Sequence, residues 1–210
     1  MNHDTTDIIR RRYDRIASVY DLMEGVIEKL FFSRWRQLLW DRIQPGNLLE
    51  VGVGTGKNFP YYPRIAHVTA IDFSEKMLAR ARRKRAKLEV DVDLMQMDIQ
   101  RLAFSDETFD TVLATFVFCS VPDPLRGLAE IKRVCKPGGK VILLEHVLSD
   151  TPSAARLMNL LNPLVARLLG ANINRKTVEN VAASGLAIEE ITDLSGSIVK
   201  LIEARKAGEC

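Results

Sequence analysis

A short apolar run ending in three alternating glycines, Asn47-Leu48-Leu49-Glu50-Val51-Gly52-Val53-Gly54-Thr55-Gly56, constrains this chain more than any other stretch. The run reads as a buried strand. Glycine reaches positive φ without strain and lets a ligand approach the backbone where a Cβ would clash. A strand feeding such a turn is the entrance to a nucleotide pocket in an open α/β sheet. Three ligand classes use loops of this kind. A P-loop needs GxxxxGK and then Ser or Thr, but position 51 is valine and Asn58 follows Gly56-Lys57. The dinucleotide fingerprint GxGxxG places its third glycine where this chain has Lys57, which weakens that reading. What remains is acid-x-GxGxG, with Glu50 as the acid.

A second apolar run, His67-Val68-Thr69-Ala70-Ile71-Asp72, ends in a carboxylate twenty residues after Gly52. An acid at the tip of the second strand suits a ribose diol, because it can accept from both hydroxyls. NAD enzymes share the feature, so Asp72 indicates a nucleoside without saying which. Beyond it the pattern alternates strand and helix. Ser74 caps a helix to about Leu88 with Glu75 at its positive end. Val90–Gln96 is a third strand, Phe109–Val117 an apolar fourth and Lys140–Glu145 a fifth, preceded by a turn at Lys136-Pro137-Gly138-Gly139. Helices are expected from Asp123 to Cys135, from Thr151 with a kink or division at Pro163, and from Asn174 to Ser184. Strands Leu186–Thr192 and Ser197–Ala204 close the pattern.

Composition bounds the setting. Hydrophobic content of 47% and a net charge of +3 describe a globular protein too weakly basic to imply nucleic acid. Cys119, Cys135 and Cys210 have no CxxC spacing, so neither a disulfide framework nor a zinc site is expected, and a reduced cytosol fits. The start, Met1-Asn2-His3-Asp4, does not read as a signal peptide, and no apolar run approaches the ~18 residues of a membrane span. Ile9, Tyr13, Ile16 and Tyr20 fall on one narrow helical face, with Arg10, Arg11, Arg12 and Arg15 on the remainder. Such a segment either lies on an anionic membrane or packs across its own domain with its arginines solvated. Leu22 to Ile43 continues helical, with a bend near Ser33. The chain reads as one domain over residues 1–210, with residues 1–44 as a helical lid and membrane-contact extension within it.

Taken together the residues resemble the class I S-adenosylmethionine-dependent methyltransferases over nearly the whole chain. Tyr13-Asp14-Arg15-Ile16-Ala17-Ser18-Val19-Tyr20-Asp21 is similar to the YDxxAxxYD opening of lipid and quinone methyltransferases, and Leu128 to Gly139 is similar to the family's helix and Pro-Gly-Gly turn. The resemblance implies a Rossmann-like α/β fold: a seven-stranded sheet of order 3-2-1-4-5-7-6, strand seven antiparallel, helices on both faces. It implies S-adenosyl-L-methionine as cofactor, with Gly52, Gly54 and Gly56 around its methionine moiety and Glu50 shaping the loop. Asp72 would hold the ribose, Asp98 the adenine amino group, Phe73 and Ile99 the adenine faces, and Phe116 the floor near the sulfonium.

Finer features resemble the bacterial phosphatidylethanolamine N-methyltransferases and related membrane-associated thiol methyltransferases: Gly54-Thr55-Gly56-Lys57-Asn58-Phe59-Pro60-Tyr61-Tyr62-Pro63, Phe118-Cys119-Ser120-Val121 and Glu145-His146-Val147. Thr115-Phe116-Val117-Phe118 lacks the Pro-Pro-aromatic sequence of nucleobase methyltransferases, which counts against nucleic acid. The implied activity is N-methylation of a phospholipid head group, stepwise toward phosphatidylcholine, at the inner face of the membrane. C-methylation of a quinone precursor and thiol or O-methylation are the alternatives. An amine acceptor must lose a proton before attack, and His146, Tyr20 and Tyr13 are the candidate acceptors of it. His146 reads equally well as a buried structural residue. Asn172 and Arg175 are candidates for a lipid phosphate, against the simpler account of an exposed arginine.

Overall fold

The computed structural model describes residues 6–11, 14, 32–63 and 66–208. Tyr13, Tyr20, Arg12 and Arg15 lie outside them, as does most of the proposed lid. Helix α1 (Ser33–Trp40) precedes β1 (Gly46–Val51), the glycine loop and a single 3-10 turn at Phe59–Tyr61, short because Pro60 and Pro63 interrupt it. Next come β2 (Ala66–Asp72), α2 (Glu75–Leu88), β3 (Asp93–Gln96), β4 (Phe109–Thr115) and α3 (Pro124–Val134). The chain continues through β5 (Cys135–His146), α4 (Pro152–Leu169), α5 (Thr177–Ala183), β6 (Ala187–Ser195) and β7 (Val199–Arg205). The sheet runs β3-β2-β1-β4-β5-β7-β6; the first five strands pair in parallel and β7 is antiparallel to both neighbours.

The central strands are apolar on both sides because helices cover both faces. Val112, Ala114, Val141 and Leu143 point into one core with Leu128 and Ile131 of α3 and Val181 of α5. Leu48, Leu113, Ile142 and Leu144 point into the other, with Leu39 and Trp40 of α1 and Leu78 and Ala81 of α2. All these side chains are buried, and each contributes on the order of 1.5–3 kcal/mol by leaving water, alanine less. Ser74 caps α2 as expected, its Oγ accepting from the Met77 amide at 3.2 Å.

Several boundaries differ from the sequence reading, each for a local reason. Strand three begins at Asp93, not Val90, because α2 ends in a left-handed Glu89 (φ 53°) and the Val90 amide is spent on Arg85 O. The Lys136–Gly139 segment is not a turn ahead of β5. It is bulged out of a continuous strand, whose pairing passes from Phe109↔Cys135 to Thr111↔Lys140. Pro163 sits inside α4 without dividing it. The last helix starts at Thr177 because residues 172–175 are engaged with the loop after β4. Among the described residues no helix is long and apolar enough to cross a membrane.

Candidate active site

The carboxyl ends of β1, β2 and β4 open on one solvent-connected pocket. The glycine loop forms its rear. Gly52 takes φ +70°, and a Cβ there would overlap the Val117 side chain, so β1 and the loop after β4 touch only because position 52 has none. A Cβ on Gly54 (φ +56°) would meet nothing within 4 Å: that side of the loop faces open space. A Cβ on Gly56 would overlap the Phe59 ring.

Asp72 is 6% exposed at the end of β2. Its Oδ2 accepts from the Gly54 amide at 2.9 Å and its Oδ1 from the Ser74 amide at 2.8 Å, which ties the glycine loop to the start of α2. Burial outweighs those hydrogen bonds and pushes its pKa up to about 6. Asp14 reaches the same corner, accepting from Ser74 Oγ at 2.5 Å. Asp98 holds the opposite rim, taking the Gln100 amide at 2.9 Å. The Gln100 side chain in turn donates to Thr6 at 3.2 Å and accepts from the Asp123 amide at 3.1 Å.

Of the cofactor residues expected from sequence, Gly52, Asp72, Phe73, Asp98 and Ile99 line this pocket together. Gly54 and Gly56 belong to its loop. Glu50 and Phe116 lie elsewhere. Glu50 is fully buried beneath the loop, accepting from Asn58 Nδ2 at 2.6 Å and from the Tyr62 hydroxyl. Burial pushes its carboxyl up to about 6 against those bonds, and raises the Tyr62 hydroxyl too. Arg36, itself buried, donates to Asn58 Oδ1 at 2.7 Å and Thr115 Oγ1 at 3.2 Å, supplying the positive charge of the cluster. Phe116 leaves β4 at a positive φ of 57°, uncommon for a non-glycine residue. Its ring packs on Phe32 at 4.9 Å, under the Arg36 guanidinium, while Val117 lines the pocket instead.

Beyond Phe116 the loop is held from several directions. Glu145, wholly buried at the end of β5, accepts from the Val117 amide at 2.9 Å and the Phe118 amide at 3.2 Å. No side chain donates to it among the described residues, and burial pushes its pKa up to about 8. Asn172 gives its amide at 2.7 Å and its Nδ2 at 3.2 Å to Cys119 O. Arg175 gives Nη2 to Val121 O at 2.8 Å, and burial lowers its pKa. The donors of both residues considered for a lipid phosphate are thus directed at this loop, although Arg175 Nε is buried without a partner. His146 follows Glu145 and takes the opposite sheet face, by strand alternation that of Leu144. It does not line the pocket. Its Nδ1 is buried without a partner, and burial lowers its pKa, favouring the neutral ring.

Sequence reasoning missed Glu145, Arg36 and Gln100. A carboxylate ending the apolar run Val141-Ile142-Leu143-Leu144 and an arginine between Trp35 and Leu38-Leu39 were the available signals: charges where both strand faces or a helix's apolar stripe must be covered.

The methyltransferase-domain family matches residues 49–143. A phosphatidylethanolamine N-methyltransferase of Cereibacter sphaeroides is 44% identical over 146 residues, covering 69% of this chain and 70% of the relative. A demethylmenaquinone methyltransferase of Renibacterium salmoninarum is 33% identical over 175 residues, 81% of this chain and 71% of the relative. In fold, the geranyl diphosphate C-methyltransferase of Streptomyces coelicolor, crystallised with S-adenosyl-L-homocysteine, superposes with a TM-score of 0.70 at 18% identity, covering 83% of this chain and 76% of that one. By these relationships the chain belongs to the S-adenosylmethionine-dependent methyltransferases.

Proposed function

We propose that this methyltransferase N-methylates the ethanolamine head group of a phospholipid, stepwise toward phosphatidylcholine, at the inner face of an anionic membrane and without a nucleic-acid partner. The observation that carries the acceptor is the 44% identity to the phosphatidylethanolamine N-methyltransferase. When bound, S-adenosylmethionine supplies a methyl group on a positively charged sulfur. The residues fit it. The open side of Gly54 leaves the backbone approachable, and Asp72 retains lone pairs for a diol after taking two main-chain amides. Phe73 and Ile99 offer apolar surface beside the Asp98 carboxylate. In this reading Asp72 holds the ribose and Asp98 the adenine amino group. Gly52, Gly54 and Gly56 embrace the methionine end, with Glu50 acting from below.

The chain's contribution is alignment and the exclusion of water, which together are able to supply on the order of 7–11 kcal/mol of a barrier. A primary ammonium, near pKa ~10.4 in water, must be deprotonated before attack, and a desolvating pocket lowers that value. The proposed proton acceptors are His146, whose neutral ring is chemically suitable but would have to be reached from outside the pocket, and Tyr13 or Tyr20. Asn172 and Arg175, which hold the pocket wall, are in this reading the residues that meet a lipid phosphate.

A second reading is C-methylation of a quinone precursor, favoured by the demethylmenaquinone methyltransferase, whose similarity extends over more of the chain. Incubation with methyl-labelled donor and a total lipid extract decides between them. Label in mono-, di- and trimethylated ethanolamine phospholipids is expected. Label confined to the quinone fraction would overturn the proposal.

A further inference from the structure

Helix α4 is amphipathic the wrong way round for a helix in water. Its inward side carries Ala154, Ala155, Met158, Asn162, Val165 and Ala166, all only half-buried. Its outward side carries Leu157, Leu160, Leu161, Leu164 and Leu168, at the helical spacing i, i+3, i+4, i+7, i+11. Leu161, the least exposed of the five, is 42% accessible and Leu160, the most, 76%. A contiguous leucine stripe on one exposed helix face marks a surface built to meet something. The helix is also tied to the pocket. Asn162 accepts the Ile173 amide at 2.9 Å and donates to Asn172 Oδ1 at 3.2 Å, and Asn172 holds the Cys119 carbonyl. Ser120 and Val121, which follow it, line the pocket.

The charge around the stripe selects the occupant. From Thr151 to Val178 there is no Asp or Glu, while Arg156, Arg167, Arg175 and Lys176 are basic. Arg156 and Arg167 are exposed and flank the leucines at either end. A second copy of the chain docked by a two-fold axis would set these arginines beside one another with no carboxylate on the helix to pair them. An anionic lipid surface meets both features, because acyl chains take the leucines and head-group phosphates the flanking arginines.

We propose that the outer face of α4 is a membrane-docking surface, lying in the plane of an anionic leaflet and holding the pocket wall at head-group level. This rests for its purpose on the lipid-acceptor reading above, and it assigns the contact to a helix distinct from the arginine-rich N-terminal segment. The test is flotation of the full-length chain with vesicles of phosphatidylcholine and phosphatidylglycerol, which contain no ethanolamine acceptor. A triple variant Leu160→Ser, Leu164→Ser, Leu168→Ser should partition at least about tenfold more weakly than the wild type. Arg156→Gln with Arg167→Gln should weaken binding by roughly fivefold or more on these vesicles and leave it unchanged on pure phosphatidylcholine. A tryptophan introduced as Leu160→Trp should be quenched by acyl-chain-brominated lipid.

Wild-type flotation by the leucine variant, or an unquenched probe, overturns the proposal. So does a large fall in the variant's melting temperature, which would mean that the stripe packs against protein. Self-association lost in the leucine variant while its flotation persists overturns it in favour of a contact between copies. Assay of the leucine variant on detergent-dispersed phosphatidylethanolamine separates the two readings. Retained methylation with lost flotation in the leucine variant supports docking through α4, whereas a wild-type chain that floats but labels no phospholipid removes only the acceptor assignment.

Discussion

The two walls of the pocket are made rigid in opposite ways. The wall formed by β1 and its glycine loop is held by side chains: Glu50 takes Asn58 and Tyr62, eight and twelve residues along, and Arg36 braces Asn58. The wall formed by the loop after β4 is held through its own backbone. Glu145, 28 residues away, takes its amides, and Asn172 and Arg175, more than fifty residues away, take its carbonyls. One buried carboxylate is compensated by side-chain donors and the Arg36 guanidinium, the other by two main-chain N–H groups with the Arg175 charge as a lesser contribution. Their acidities follow, about 6 for Glu50 and about 8 for Glu145. The short-range bonds of Glu50 can be read from adjacent sequence; the bonds of Arg36 and Asn58 to Thr115, and all of the second wall's bracing, cannot.

The largest expected effect comes where the walls meet. Gly52→Val would place a side chain into Val117 at a φ of +70°. Left-handed strain of roughly 1–2 kcal/mol and overpacking of roughly 1–3 kcal/mol act together there. Calorimetry with S-adenosylhomocysteine should show binding abolished and scanning calorimetry a lower melting temperature. Gly54→Ala shares the positive φ but meets no neighbour, so its stability loss should stop at about 1–2 kcal/mol while its affinity falls. If the two variants melt alike, steric contact between the walls is not what sets position 52.

Next comes Asp72→Asn. An amide cannot accept at both Asp72 oxygen positions, so the Gly54 or the Ser74 amide loses its partner, and on the proposed cofactor placement a ribose would lose a charged acceptor. Cofactor affinity should fall by roughly tenfold to a hundredfold, the range of about 1.5–3 kcal/mol for a hydrogen bond to a charged group. Donors from a ribose favour the ionised carboxylate, so binding should expel a proton from a group that titrates at about 6. Affinity of the wild type should therefore climb from pH 5 toward pH 7 and level off above. The Asn variant should be flat across that window; an equal slope in both proteins would assign the proton to another group.

The order of the sheet was legible through the family resemblance, whereas the succession of strands and helices and the local bonds of the glycine loop were legible for physical reasons. Alternation of apolar strands with capped helices leaves few right-handed parallel arrangements, and Ser74, Asp72 and the glycines act within a few residues of where they stand. The second wall was not legible because its bonds join backbone atoms to Glu145, Asn172 and Arg175 across the fold, and a backbone amide has no sequence signature. Phe116 was placed at the floor of the pocket by analogy. A left-handed turn at that residue sends its ring toward Phe32 and offers Val117 instead, and nothing in a phenylalanine announces a φ of 57°. The leucine spacing of α4 stands in the sequence, but which face looks outward is a tertiary fact.

A smaller effect separates the carboxylates by pH. Glu145 keeps its proton in the folded chain up to about pH 8, whereas in the unfolded chain it releases it near the ordinary glutamate value of 4.5. The folded state thus binds more protons throughout that interval, and stability falls as pH rises from about 4.5 to about 8. Glu145→Gln keeps an oxygen for the Val117 and Phe118 amides and cannot ionise. Its urea-unfolding free energy should lack that component of the slope, match the wild type near pH 5 and exceed it at pH 9. A variant less stable at pH 9 would show that the ionised carboxylate strengthens its wall.

The smallest expected effect is a coupling near zero. Tyr62→Phe removes one donor from Glu50, and Asn172→Ala removes the side-chain hold on the Cys119 carbonyl; each should reduce stability by about 0.5–1.5 kcal/mol. The two sets of bonds share no partner among the described residues: Thr115 accepts only within the first, and Glu145 serves only the second. Independent sites add to within about 0.3–0.5 kcal/mol, so the double variant should lose the sum of the single losses within that margin. A coupling above about 1 kcal/mol would mean that strain passes through Phe116, whose backbone joins Thr115 to Val117, and that the walls move as one body. Additivity would instead leave the Gly52–Val117 contact as the joint at which a ligand could draw two separately braced walls together.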